Sequence, residues 1–342
     1  MSSFLANPSD LRAAGILGIN RRNLAYILDS NERRLYPRVD NKLITKAICG
    51  EHGIPAPETF GVVNSHGAVK GFDAIVRDRA DFVVKPARGA AGRGVLVIGE
   101  HVGDLYLTPG GRRVPRSELR YHLSAIVSGL YSLGGRADEA IIEQRVVTHP
   151  VLRSVAVGGT PDIRVVIYRG VPVMAMVRLP TEASNGRANL HQGAIAAAID
   201  LATGRTYGGV SKGRMIALHP DTQHSIVGLQ VPDWARVLES SMLLADALTL
   251  GYLGVDFVID ADAGPMVLEA NARPGLAIQV AHRRGLRPAL ERVAAARPDE
   301  LAGEKRVALV HEIAADARRA MRRQGLAPVE IEAGDEPANA QT

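Results

Sequence analysis

Two periods of apolar residues organise the chain. Runs of strand length predict strands at 82–86, 95–98, 140–146, 162–168 and 171–178, with a further strand of small residues in 192–201. A helical period predicts a helix that opens on Asp40 as N-cap and ends near Gly50 to Gly53. Others are expected over 68–79, 117–133, 234–250, 283–295 and 304–324. Residues before Val39 show only two short helical patterns. The tail 334–342 has little apolar content and is expected to be disordered.

The clearest pattern is a hairpin. Val255 to Ile259 and Met266 to Leu268 flank the turn-forming run Asp260-Ala261-Asp262-Ala263-Gly264-Pro265. Symmetric pairing sets 259 against 266, 258 against 267, 257 against 268 and Asp256 against Glu269. Asn271, two residues further on, shares the face of Glu269. Facing carboxylates repel, so positive charge is expected between them. Hard oxygen donors without nearby His or Cys suit magnesium. The competing reading is an exposed hairpin end with ordinary polar residues.

Composition narrows the class. In 342 residues, 46% are hydrophobic and 23% charged, as in a globular protein large enough for two domains. A formal charge of +5 suits anionic substrates. Aromatic residues make up 4%, which argues against single-stranded nucleic acid as a partner. The single cysteine, Cys49, excludes an intrachain disulfide and is expected in a core. No apolar run is long enough to span a membrane and no signal-peptide pattern opens the chain, so a cytoplasmic location is expected.

Other residue groups carry possible chemistry. Lys85 ends a strand and precedes a loop with Gly89, Gly92 and Gly94, whose amides could approach phosphate oxygens. It is neither a P-loop nor a dinucleotide fingerprint, and a plain hairpin tip is the alternative. Lys42 alone reads as a surface lysine. The run 141–146, with Glu143, could form an adenine slot. Arg164 and Arg178 sit on strands facing a cleft, where guanidinium groups suit phosphoryl or carboxylate oxygens. His191 reads as structural. The arginines at 318, 319, 322 and 323 read as a solvated, dipole-compensating helix end.

Taken in order, the motifs form one set: Asp40-Asn41-Lys42, Val84-Lys85-Pro86, Gly89 to Gly94, Glu143 to Val146, Asp162-Ile163-Arg164, Arg178, Asn189 to Gly193, Asp256, and Glu269-Ala270-Asn271. With these the chain resembles the ATP-grasp superfamily over roughly residues 39–290. More narrowly it is similar to α-L-glutamate ligase-like proteins, related to the type that modifies ribosomal protein S6, through Gly18 to Asn23 and Tyr36 to Asp40.

The resemblance implies an α+β fold in which two α+β subdomains grip ATP, with a short helical N-terminal extension and C-terminal helices. The implied division is an extension 1–38, a small subdomain side 39–142, a large subdomain 143–300, a helix 301–333 and the tail. Lys42, Lys85, Gly89, Gly92 and Gly94 would hold the triphosphate, and Glu143, Gln144 and Val146 would line the adenine pocket. Asp256, Glu269 and Asn271 would hold magnesium, or manganese in its place. Arg164 and Arg178 would stabilise the transferring phosphoryl group, and Asn189 would complete the phosphate end.

The implied activity is ATP-dependent ligation of a carboxylate to an amine, with an amino acid or peptide as acceptor. Two departures stand out. Only a short extension precedes Val39, and Thr148-His149-Pro150-Val151 replaces an acidic ribose contact after the hinge. Alternatives are an ATP-grasp enzyme with a different acceptor, kinase-like or using a non-amino-acid amine, and a non-catalytic nucleotide-binding module. Self-association is left open.

Overall fold

The computed structural model describes residues 7–89 and 92–323. The tail 334–342 and the centre of the glycine-rich loop, Ala90-Ala91, lie outside the described residues.

Three antiparallel sheets form. The small sheet uses β1 (Thr59–Val63), β2 (Phe82–Pro86) and β3 (Leu96–Ile98). The short β4 (Glu100–Val102), β5 (Leu105–Leu107) and β6 (Arg113–Val114) make a separate sheet beside it. Strand β7 (Ala140–Glu143) returns to the centre of the small sheet, giving the order β1-β7-β2-β3. Val63, Phe82, Val84, Ile98 and Ile142 pack there against Leu119, Leu123 and Ile126 of the helix Arg116–Val127.

The large sheet has eight strands: β8 (Asp162–Tyr168), β9 (Val171–Leu179), β10 (Ile195–Ile199), β11 (Arg205–Ser211), β12 (Arg214–Ile216), β13 (Val227–Gln230), β14 (Tyr252–Asp260) and β15 (Gly264–Asn271). Their order is β12-β11-β10-β9-β8-β14-β15, with β13 on β11. Strand β9 is apolar throughout except Arg178, and β14 is buried at every position, as continuous apolar runs covered on both faces should be. The helix Trp234–Leu248 buries Trp234, Val237, Leu238, Ser241, Leu244, Ala245 and Leu248 along one stripe.

Several predicted elements are shorter than expected. The helix expected over 68–79 is a 3-10 turn, Ala68–Gly71, followed by Phe72–Val76. That expected over 283–295 is Arg287–Ala294, and a separate short helix, Ile278–His282, precedes it and ends at Arg283, which takes a left-handed conformation (φ 48°). The helix Lys42–Glu51 packs on β15, and its Cys49 joins the core of the large sheet together with Leu35 and Val39. Residues 39–54 therefore accompany the large sheet, although the expected division grouped them with the small one. Burial pushes the Cys49 thiol up to about 11.

The N-terminal extension is docked on the large subdomain through side-chain amides. Asn31 donates to the Tyr252 carbonyl (2.7 Å) and accepts from its N–H (2.8 Å). Gln279 reads both backbone groups of Leu17, accepting at 2.8 Å and donating at 3.0 Å. Arg22 donates to the Pro274 carbonyl at 2.5 Å, just beyond the end of β15.

Candidate nucleotide and metal site

Strand register alone brings the charged residues together. Arg164 on β8 faces Asp256 on β14, and Asp256 faces Glu269 on β15. Asp162 lies two residues before Arg164, on the same face, and pairs with Arg178 on β9. Four strands thus present three carboxylates and two guanidinium groups to one side of the sheet.

The hairpin reaches this register by a route different from the symmetric one. A β-bulge at Leu268 separates Asp256↔Glu269 from Phe257↔Val267, and the outer pairs run Ile259↔Pro265 and Asp260↔Gly264. The bulge lets Val267 and Ala270 both enter the core, leaving Glu269 and Asn271 on the opposite face.

Positive charge does neutralise the carboxylates, but protein side chains supply it. Arg164 grips Asp256 with both prongs, Nε to Oδ1 at 2.7 Å and Nη2 to Oδ2 at 2.6 Å. Arg178 adds Nη2 to Asp256 Oδ2 at 3.0 Å and Nε to Asp162 Oδ1 at 2.5 Å. Lys42 Nζ lies 3.5 Å from Glu269 Oε2, and Asn271 donates to Glu269 Oε1 at 3.3 Å. Burial alone would raise the Asp256 carboxyl, and the two arginines reverse this, holding it down at about 2. Among the described residues Asp162 is hydrogen-bonded by Arg178 alone, and burial, with the neighbouring Asp256 charge, pushes it up to about 7.

The small sheet contributes a second cluster. Glu143, 2% exposed, lies 2.5 Å from both Lys46 and Lys85, and these two cations outweigh its burial and keep it ionised. Its carboxylate therefore binds lysines, whereas the adenine-slot reading aimed it at the base. Lys46 was missed at the sequence level. Its signal was its position four residues after Lys42, on the same helix face.

Lys42 also donates to the Gly89 carbonyl at 2.7 Å, which ties the helix Lys42–Glu51 to the start of the glycine-rich loop. Gly92 and Gly94 have φ of 69° and 74°, and a Cβ at Gly94 would lie 2.6 Å from Tyr131. The loop base hangs on the buried Asp138, which accepts from Arg88 N at 3.0 Å and Ser132 Oγ at 2.5 Å. No spacing in the sequence pointed to Asp138.

The connection between the sheets is doubly tied. Gln144 N donates to the Glu58 carbonyl at 2.8 Å, and the Gln144 side chain accepts from Glu58 N at 3.1 Å. Asp260 at the hairpin tip accepts from Val147 N at 2.8 Å. Gln144 and Val146, half-buried, lie along this connection, where an adenine slot was expected. Asn189 caps the turn Leu190–Gln192, accepting from His191 N at 3.0 Å. It lies in the loop after β9, at the same end of the sheet as Arg178, and no hydrogen bond joins it to the carboxylates among the described residues.

The family model described as sugar-transfer associated ATP-grasp matches residues 21–295, a span that contains every residue of the site. No curated protein matches. Among solved structures, the ATP-grasp ligase PsnB complexed with minimal precursor is 16% identical with a TM-score of 0.43, covering 78% of this chain and 63% of its own. The present chain thus spans less than two thirds of that ligase. The D-cycloserine synthetase DcsG is 18% identical (TM-score 0.44; 82% of this chain, 72% of that one). The D-alanine–D-alanine ligase of Bacillus anthracis complexed with ATP is 16% identical (TM-score 0.41; 85% and 70%). By its match to the family model, the chain belongs to the sugar-transfer-associated ATP-grasp family, within the superfamily that its ordered motifs resemble.

Proposed function

We propose that the protein is an ATP- and magnesium-dependent carboxylate–amine ligase that releases ADP and phosphate. The observation that carries this reading is the row Arg164–Asp256–Glu269 with Arg178 beside it, linked through Lys42 to the glycine-rich loop. In the proposed reaction a substrate carboxylate oxygen attacks the γ-phosphorus of ATP and ADP leaves. The amine nitrogen then attacks the acyl carbon and loses a proton as phosphate departs. Such chemistry needs charge neutralisation and alignment more than a protein nucleophile.

Asp256, Glu269 and Asn271 offer oxygen donors on one face, a set that fits a hard divalent cation. Bound magnesium would neutralise phosphate charge. Because both Asp256 oxygens are held by arginines, admitting the metal frees guanidinium groups for the phosphoryl oxygens. Lys85 on the small sheet and Lys46 on the helix Lys42–Glu51, both anchored on Glu143, supply further positive charge.

Glutamate or another amino acid added to a peptide or small carboxylate is the first substrate class to test. The family description, sugar-transfer associated, adds sugar-bearing compounds to the panel. The test is ADP release with purified protein, ATP and magnesium across a panel of carboxylates and amines, with product masses measured. ADP that requires both partners and yields a condensed product supports ligation. A phosphorylated end product that accumulates and that no amine converts to a condensed product overturns it in favour of a kinase-like reaction, and ATP binding without turnover under any pairing favours a nucleotide-binding module.

A further inference from the structure

The return stem of the glycine-rich loop is held from the helix Arg116–Val127 and the turn that follows it. His122, half-buried on that helix, donates from Nε2 to the Gly94 carbonyl at 3.0 Å. A carbonyl only accepts, so this nitrogen carries a proton, and burial of the ring, which lowers its pKa, favours the neutral form with Nδ1 bare. The Tyr131 hydroxyl lies 3.5 Å from Nδ1, and the two ring centres are 5.4 Å apart. The Tyr131 ring also covers Gly94, leaving no room there for a Cβ. Ser132, next in sequence, bridges to Gly89 and bonds Asp138. Consecutive residues thus take the two stems, Ser132 the outgoing one and Tyr131 the return.

Gly94 needs this support. A glycine at φ 74° lets its neighbouring peptide units turn at little cost, so the chain alone does not fix which way the 94–95 peptide points. The His122 bond fixes it. In a trans peptide the carbonyl and the following N–H point opposite ways, so the Val95 N–H is aimed away from His122. No described residue accepts that N–H. A backbone amide held in this way at a glycine-rich turn is a donor for an anionic oxygen.

We propose, on the reading of this loop as a cover for ATP phosphates, that His122 is a positioning residue for the triphosphate. By holding the Gly94 carbonyl it presents the Val95 N–H to a phosphate oxygen. His122 acts only through the Gly94 peptide and touches no nucleotide atom itself. Its effect therefore falls on ATP and spares adenosine, which carries no phosphate.

The test uses the full chain. Affinities for ATP with magnesium and for adenosine are measured by displacement of a fluorescent adenosine analogue. His122→Leu should weaken ATP roughly ten-fold while adenosine affinity holds. His122→Gln, whose amide can donate from nearly the same place as Nε2, should recover most of the loss. Should the leucine variant not fold, His122→Asn, too short to reach the Gly94 carbonyl, takes its place with the same expectation. An unchanged ratio of the two affinities, an equal loss of both, or no recovery with glutamine overturns the proposal and leaves the ligase reading in place. A parent protein that binds ATP no more tightly than adenosine removes the phosphate-cover reading, and the proposal with it.

Discussion

Arg164 and Asp256 face each other across adjacent antiparallel strands and close a two-pronged ion pair at 2.7 and 2.6 Å, with Asp256 1% exposed. Asp256→Asn would leave Arg164 and Arg178 close together and under-neutralised in a buried place. The expected loss is about 3–5 kcal/mol of stability without nucleotide, measured by urea unfolding, together with loss of ADP formation. A variant as stable as the parent would show that the pair is solvated in solution.

Glu269 sits one strand further on and its side chain is partly exposed. Glu269→Gln keeps its shape and loses its charge, so the fold should survive within about 1 kcal/mol. ADP formation should nevertheless disappear. Undiminished ADP release would remove Glu269 from the metal set.

Glu143→Gln separates two readings of one residue. If the carboxylate serves Lys46 and Lys85, the variant loses about 3 kcal/mol or more from two under-neutralised lysines, binds ATP more weakly and keeps its preference for adenine over guanine. If the carboxylate reads the base, the preference shifts and stability holds. Competition between ATP and GTP, with thermal unfolding, tells them apart.

His282 gives a pH dependence. In the unfolded chain its imidazole protonates near pH 6.5, whereas in the fold burial holds it neutral down to about pH 3. The unfolded state then binds the extra proton between these values, so stability falls as pH drops below about 6.5, by up to about 1.4 kcal/mol per pH unit. Buried Asp162, pushed up to about 7, holds an extra proton in the fold over the same window and opposes this slope, so the His282 share is read as the difference between parent and His282→Gln in unfolding from pH 7.5 to 4.5.

Asn31→Ala tests the docking of the N-terminal extension. It leaves the buried backbone groups of Tyr252 without the Asn31 amide, at an expected cost of about 1–3 kcal/mol. Hydrogen exchange should speed up over residues 15–35 with little change in β8 and β9. Uniform acceleration would mean that the extension and the large sheet unfold together.

Much of the site was legible because β-structure turns spacing into geometry. Alternation alone placed Glu269 with Asn271 on a shared face, and the same alternation, not drawn on for Asp162, sets that residue beside Arg164. The Asp256–Glu269 pairing emerged from a symmetric hairpin whose outer rungs are each displaced by one residue, a shift that the bulge at Leu268 absorbs. The visible clue was the interval of three between the core residues Val267 and Ala270. Glu143 was read as a strand-end acceptor because its two lysines come from positions 46 and 85, and no local pattern joins those to 143. Strands β11 to β13 escaped prediction since their glycines and polar residues obscure the alternation.

The helix Lys42–Glu51 is packed with the large sheet, yet Lys42 holds Gly89 and Lys46 holds Glu143, both attached to the small one. These two lysines are cross-links between bodies as well as sources of charge. On the proposed reading, a triphosphate that drew Lys42 away from Gly89 would remove one cross-link in the act of becoming another. Nucleotide would then exchange fastenings without adding to their number, and the gap between the sheets would be loaded and emptied with little net change in what holds them together.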